Sequence, residues 1–103
     1  MVIYEVNLTI NRAVYSEFTL WLKEHVNEML QFPGFIQASI FKPEEEISDQ
    51  EKLTIQYQLE SRADLERYFT DFAPRMREEG IKRFSDKFSA SRGIFEVQEI
   101  ISK

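Results

Sequence analysis

Cysteine is absent, tryptophan and histidine occur once each, and glycine and proline occur only three times each. Each shortage removes a class of chemistry. Without cysteine there is no disulfide, no thiolate nucleophile and no cysteine-ligated zinc. A single histidine leaves carboxylates as the remaining metal ligands. The densest acidic cluster, Glu44, Glu45, Glu46, Asp49 and Glu51, lacks the Gly and Asp/Asn spacing of a calcium loop. It reads as a solvated loop, and no metal is expected. Three glycines are too few for a Gly-rich phosphate loop or a dinucleotide fingerprint, so no cofactor is expected either. No apolar run approaches the roughly 20 residues that cross a bilayer, which argues against a membrane partner. The opening MVIYEVNLTI alternates and carries Glu5, so it reads as a strand and not an export signal, leaving the cytoplasm as the default compartment. A net charge of −5 argues against a sequence-independent grip on nucleic acid.

What is present is patterned. The 103 residues suffice for one domain with a single core. Residues 2–10 alternate, with Val2, Tyr4, Val6, Leu8 and Ile10 on one face and Ile3, Glu5, Asn7 and Thr9 on the other, which predicts a half-buried strand. Asn11 is a candidate N-cap. Beyond it, Val14, Phe18, Trp21, Leu22, His25, Val26 and Met29 recur at three- and four-residue steps, the signature of one amphipathic helix of about five turns that Pro33-Gly34 ends. Residues 35–42 alternate again, and 43–52 read as a polar hairpin loop. Leu53, Ile55, Tyr57 and Leu59 mark a third strand. A second helix opens at Ser61, with Asp64 three residues on. Pro74 kinks it or starts a new helix toward Phe84, with a break expected at Gly80. Residues 88–101 form the last strand, bent or bulged near Gly93.

The order β-α-β-β-α-β, with right-handed crossovers, predicts an α+β ferredoxin-like sandwich: a four-stranded antiparallel sheet with its helices on one face. The other face collects Glu5, Asn7, Thr9, Gln37, Ser39, Thr54, Gln56 and Gln58, and Arg92, Glu96 and Gln98 if the last strand keeps phase. Ile3, Phe35 and Phe41 fall on that face too. Either it lies in water, or a second copy covers it and two sheets close into a dimeric barrel.

The stretches IYEVN, WLKEHVNEML, LERYFTDFAPRMR and FSDKFSASRGIFEV carry a likeness that extends over nearly the whole chain. With Trp21-x-x-x-His25 and Ala73-Pro74-Arg75, the sequence resembles a family of short bacterial proteins known only as a domain of unknown function. One departure is Ser85, where the resemblance calls for glycine. The likeness implies the dimeric α+β barrel superfamily and hence a homodimer, but no activity. That superfamily includes cofactor-free monooxygenases, haem-degrading enzymes, isomerases and effector-binding domains, so the fold does not choose a function. Asn7, Trp21 and His25 match the Asn, Trp and His of the haem-degrading group in residue type only.

His25 sits near the centre of the apolar stripe of its helix. A buried imidazole needs partners for its nitrogens, and burial favours its neutral form, which can act as a base or a hydrogen-bond anchor. The bland alternative is a core histidine bonded to a carbonyl or to Tyr4 or Tyr57. The basic residues Arg75, Arg77, Lys82, Arg83, Lys87 and Arg92 cluster late, where an anionic ligand could use some of them, but a solvated helix face is the better reading. The pairs Arg75–Glu79, Glu78–Lys82 and Glu79–Arg83 are expected to occupy several of them, while Arg92 is expected on the polar face near Glu5.

The resulting expectation is a homodimer that binds a small apolar or aromatic molecule between sheet and helices. Trp21, Tyr4 and Tyr57 would form walls, His25 would be the anchor, and Asn7 and Arg92 would supply further polar contacts. The alternatives are a cofactor-free monooxygenase or isomerase with His25 as base, and a structural or regulatory dimer without a pocket.

Overall fold

In the computed structural model, which describes residues 1–44 and 49–103, four strands and three helices follow the expected order. Strand β1 spans Val2–Asn11, β2 Phe35–Phe41, β3 Gln50–Leu59 and β4 Phe88–Glu96; helix α1 spans Tyr15–Met29, α2 Arg62–Asp71 and α3 Ala73–Phe84. The strands lie in the order β2-β3-β1-β4, and every pair is antiparallel. This is the ferredoxin-like α+β fold, with β3 and β1 as the inner strands. None of the described helices is long and apolar enough to cross a membrane.

The local signals act as their chemistry dictates. The Asn11 side chain accepts from the Ala13 N–H at 2.9 Å and starts a short 3-10 turn, Arg12–Val14, so the first helix is split rather than continuous. Ser61 caps α2 by accepting from the Asp64 N–H at 3.2 Å, while its hydroxyl donates to the Asp64 carboxylate at 2.8 Å. Pro74 lies in the first turn of α3, where its missing N–H costs nothing. Gly34 has φ +83°, and a Cβ there would collide with the Asp64 side chain, so the turn after α1 needs glycine twice over.

Several boundaries differ from expectation. β3 begins at Gln50, inside the expected loop, because Gln50, Glu51 and Lys52 continue the ladder against Asn11, Ile10 and Thr9. Glu51 is also held by Lys42 at 2.8 Å and Arg12 at 3.6 Å. Of the acidic cluster, Glu45 and Glu46 lie outside the described residues, and the described ones form no group able to hold a metal. Helix α3 runs through Gly80 unbroken, since a lone glycine costs a helix only about 1 kcal/mol and here it meets a packing need. Strand β4 ends at Glu96 rather than residue 101 and passes Gly93 without a bulge.

The irregularity falls instead in β2. Phe35 pairs with Leu59 and Gln37 with Gln58, so Ile36 is an extra residue in a bulge. The bulge turns Phe35 toward the helices, where it packs against Tyr57 and Tyr68, and not onto the outer face as expected. In β4, register with β1 places Phe88 opposite Ile10, Ala90 opposite Leu8 and Arg92 opposite Val6. Arg92 therefore faces the helix side, not the polar face beside Glu5. Phe95, opposite Ile3, takes the outer face.

The core lies between the helices and the inner face of the sheet. Phe18, Ile10, Leu59, Leu65 and Met76 are fully buried there, each contributing roughly 1.5–3 kcal/mol of apolar transfer. The outer face carries a chain of side-chain hydrogen bonds. Gln56 donates to Glu5 at 3.0 Å, Asn7 donates to the same carboxylate at 3.2 Å, and Thr54 donates to the Asn7 carbonyl at 2.8 Å.

Candidate functional site

A cavity of about 270 Å³ opens between α1, α3 and the inner face of the sheet. Its walls come from positions that helical and strand periodicity turn inward: Tyr4 and Leu8 on β1, Phe18, Trp21 and His25 on α1, Tyr57 on β3 and Phe88 on β4. The volume lies near the lower end for ligand pockets, roughly 300–1,000 Å³, and suits a small molecule.

Trp21 and His25, one turn apart on α1, stack with ring centroids 4.6 Å apart. Gly80 makes the room. A Cβ there would lie 3.0 Å from Trp21 Cη2 and 3.2 Å from Phe88 Cζ, so the helix–helix approach depends on a residue without a side chain. Phe18 and Phe84 complete the aromatic box, 5.4 and 5.6 Å from the Trp21 ring.

His25 Nδ1 is shut off from solvent and has no hydrogen-bond partner. The bonds of a core histidine to a carbonyl, Tyr4 or Tyr57 are not found: no described residue donates to or accepts from either nitrogen. A buried lone pair without a donor is less costly than a buried N–H without an acceptor, so the favoured tautomer carries its proton on Nε2. Burial lowers the His25 pKa from 6.5 to about 4, which keeps the ring neutral at pH 7. Above pH 6.5 the ring is neutral in both folded and unfolded chains. As pH falls from 6.5 toward 4 the unfolded chain takes up a proton that the folded one refuses, and stability declines across that window.

Three tyrosines line the wall opposite. Tyr4 and Tyr57 stack at 5.9 Å, and Tyr68 lies 6.0 Å from Tyr4. Tyr4 accepts a hydrogen bond from the Arg77 guanidinium at 3.3 Å. Tyr57 and Tyr68 are buried, and desolvation raises both pKa values, keeping them as neutral donors. The positive charges of Arg77 and Arg92 oppose that rise at Tyr68, so both guanidiniums lie within electrostatic reach of its hydroxyl.

Of the residues singled out from the sequence, Trp21, His25, Tyr4, Tyr57 and Arg92 thus line one cavity. Asn7 does not. Odd-numbered β1 residues face away from the helices, and Asn7 is engaged by Glu5 and Thr54 across the sheet from the cavity. Arg77, Tyr68, Gly80 and Ser85 also line it and were not anticipated. The sequence held one signal for Arg77: its neighbours three and four residues away, Pro74, Gly80, Ala73 and Ile81, include no carboxylate. Of the three expected ion pairs on α3, only Lys82–Glu78 forms, at 3.3 Å. Arg75 instead lies 3.9 Å from the Met76 sulfur.

The comparisons with known proteins agree on the fold. A putative antibiotic biosynthesis monooxygenase from Deinococcus radiodurans superposes with a TM-score of 0.77 at 12% identity, covering 100% of this chain and 98% of that one. SnoaB, a cofactor-independent oxygenase from Streptomyces nogalater, gives 0.73 at 12% identity over 99% and 98%. The haem-degrader MhuD from Mycobacterium tuberculosis, with two haems bound in its active site, gives 0.71 at 16% identity over 99% and 100%. No curated protein matches in sequence. At these identities the likeness is one of fold. The model of a domain of unknown function, DUF4286, matches residues 1–98, and the chain belongs to that family.

Proposed function

We propose that this protein binds a small aromatic molecule in the cavity beside Trp21 and His25 and works as a homodimer, in the cytoplasm. The observation that carries the reading is the aromatic box beside a neutral imidazole without a partner. A core histidine that served packing alone would have its nitrogens bonded, since an unmet buried polar atom costs about 1–3 kcal/mol. SnoaB is an oxygenase and MhuD binds two haems in its active site, and the shared fold supports small-molecule binding here.

The dimer is supported by the outer face. Ile3, Phe41 and Phe95 share it, and Phe41 and Phe95 are about half exposed. Apolar groups flanking an ordered polar strip suit a second copy of the same sheet. Light scattering at micromolar concentration should give twice the chain mass; a monomer would return this face to water. The ligand reading is tested by native mass spectrometry of freshly purified protein, followed by titration with naphthalene-sized aromatics. Binding lost in His25→Leu and Gly80→Leu supports it, and no binding by the parent sinks it.

A second reading, a cofactor-free monooxygenase or isomerase with His25 as base, draws on the SnoaB likeness. Its weakness is quantitative. A base with pKa near 4 is poorly matched to proton abstraction at pH 7, so His25 suits hydrogen bonding better than deprotonation. Oxygen uptake with hydroquinone or anthrone substrates, lost in His25→Leu, would reverse that preference.

A further inference from the structure

The charge of the cavity is opposite to that of the chain. Acidic residues outnumber basic ones by 18 to 13, yet the lining holds two arginines, one histidine and no carboxylate. Arg77 comes from α3 and Arg92 from β4. Both are exposed at the cavity mouth, and neither has a carboxylate within ion-pair distance among the described residues; Arg75, Arg83 and Lys87 are unpaired as well, so what sets Arg77 and Arg92 apart is their place in the lining. Among the described residues Arg77 makes the bond to Tyr4 and a 5.9 Å approach to the Phe69 ring, which orient it without neutralising it.

The other polar groups point the same way. Tyr57 and Tyr68 are buried residues whose neutral hydroxyls belong to the lining, and neither is bonded to an acceptor among the described residues. His25 in its favoured tautomer adds an N–H. Nearly every polar group of the lining offers a proton, and the side chains supply no carbonyl or carboxylate to receive one. Such a site penalises a cation and leaves its donors unmet around a hydrocarbon.

We infer that the cavity takes an aromatic carboxylic acid as its anion, with the carboxylate held by Arg77 and Arg92 and the ring body lying against Trp21 and the tyrosines. The planar guanidinium fork matches a carboxylate in a two-bond arrangement. The ring body explains why the rest of the lining is aromatic. This inference rests on the ligand-binding reading above and adds the charge of the ligand to it.

The test is calorimetric titration at pH 8 with 2-naphthoate and with its neutral isostere 2-naphthamide. The acid is expected to bind at least about tenfold more tightly, with an affinity that falls as salt rises. Arg92→Met should weaken the acid far more than the amide, whose carbonyl can still accept a single bond, and so remove most of that preference, and Arg92→Lys should recover part of it. Arg77→Met should act likewise, and its circular dichroism and melting curve report any loss of the Tyr4 contact. Equal affinity for acid and amide would overturn the anion assignment and leave the aromatic site standing. Binding of neither probe would overturn both. A preference for the acid that survives in Arg92→Met and Arg77→Met would also refute the assignment, because the charge would then be read elsewhere.

Discussion

The two faces of the sheet handle polar side chains in opposite ways. On the outer face Gln56, Glu5, Asn7 and Thr54 bond to one another in a chain. On the inner face, under the helices, His25 Nδ1 and the hydroxyls of Tyr57 and Tyr68 bond to no side chain among the described residues, although both tyrosines are more buried than the outer set. If polar groups were placed for stability alone, the inner set would be the one most fully paired, because unmet groups cost more where water is excluded. The contrast marks the outer network as structural and the inner set as reserved for a molecule from outside.

That contrast can be broken or sharpened by experiment. The largest effect is expected from acid. Between pH 8 and pH 5 the refusal of His25 to take a proton should lower stability by about 2 kcal/mol, from the gap between pH 5 and its unfolded pKa of 6.5. Urea unfolding of the parent against His25→Leu isolates this contribution; the variant should lose that part of the pH slope and be at least as stable at pH 8. An identical slope in both would mean that His25 is solvated in the folded chain. On the outer face, Thr54→Val removes the donor to Asn7 and should cost about 1 kcal/mol at fixed protein concentration, read in the same unfolding assay.

Ser85 supplies a third test. It adopts φ +53° and ψ −127° in the turn after α3, closed by the Lys87 N–H to the Phe84 carbonyl at 3.0 Å. Glycine enters this conformation freely and serine does not. Ser85→Gly should therefore raise stability by about 1 kcal/mol, with the melting temperature as readout. The smallest effect belongs to Tyr57→Phe. Its hydroxyl bonds to no described residue and is not sealed from the cavity, so deleting it should shift stability by no more than about 0.5 kcal/mol, half the expected loss for Thr54→Val or less. A loss as large as that of Thr54→Val would erase the distinction between the faces.

The fold was legible because its signals are local. The alternation in β1, the three- and four-residue steps of α1, the Ser61 cap and Pro74 all act within a few residues. What escaped depends on partners far along the chain. The extension of β3 to Gln50 is set by ten residues of β1 that it must pair with, and polar residues carry no sign of that. The phase of β4, and with it the side on which Arg92 lies, is fixed by Val6 across the ladder. His25 and Trp21 could be placed inward by helical spacing. Their stacking and the close approach of Gly80 join two helices far apart in sequence, which periodicity does not reach. Arg77 was half visible, as a cation with no local acidic neighbour.

The single extra residue in β2 acts on the sheet as a frame shift acts on a message. Residues before and after Ile36 are read in opposite phase, so Phe35 faces inward and Gln37, Ser39 and Phe41 face outward. Removing Ile36 would leave every side chain intact yet exchange the side on which one end of the strand is read. Phe35 would then abandon Tyr57 and Tyr68 for the outer face, or the rest of the strand would turn over to keep it in place. Chain length at this one point is therefore a determinant of what each face displays, and a one-residue deletion here is a larger change than most substitutions.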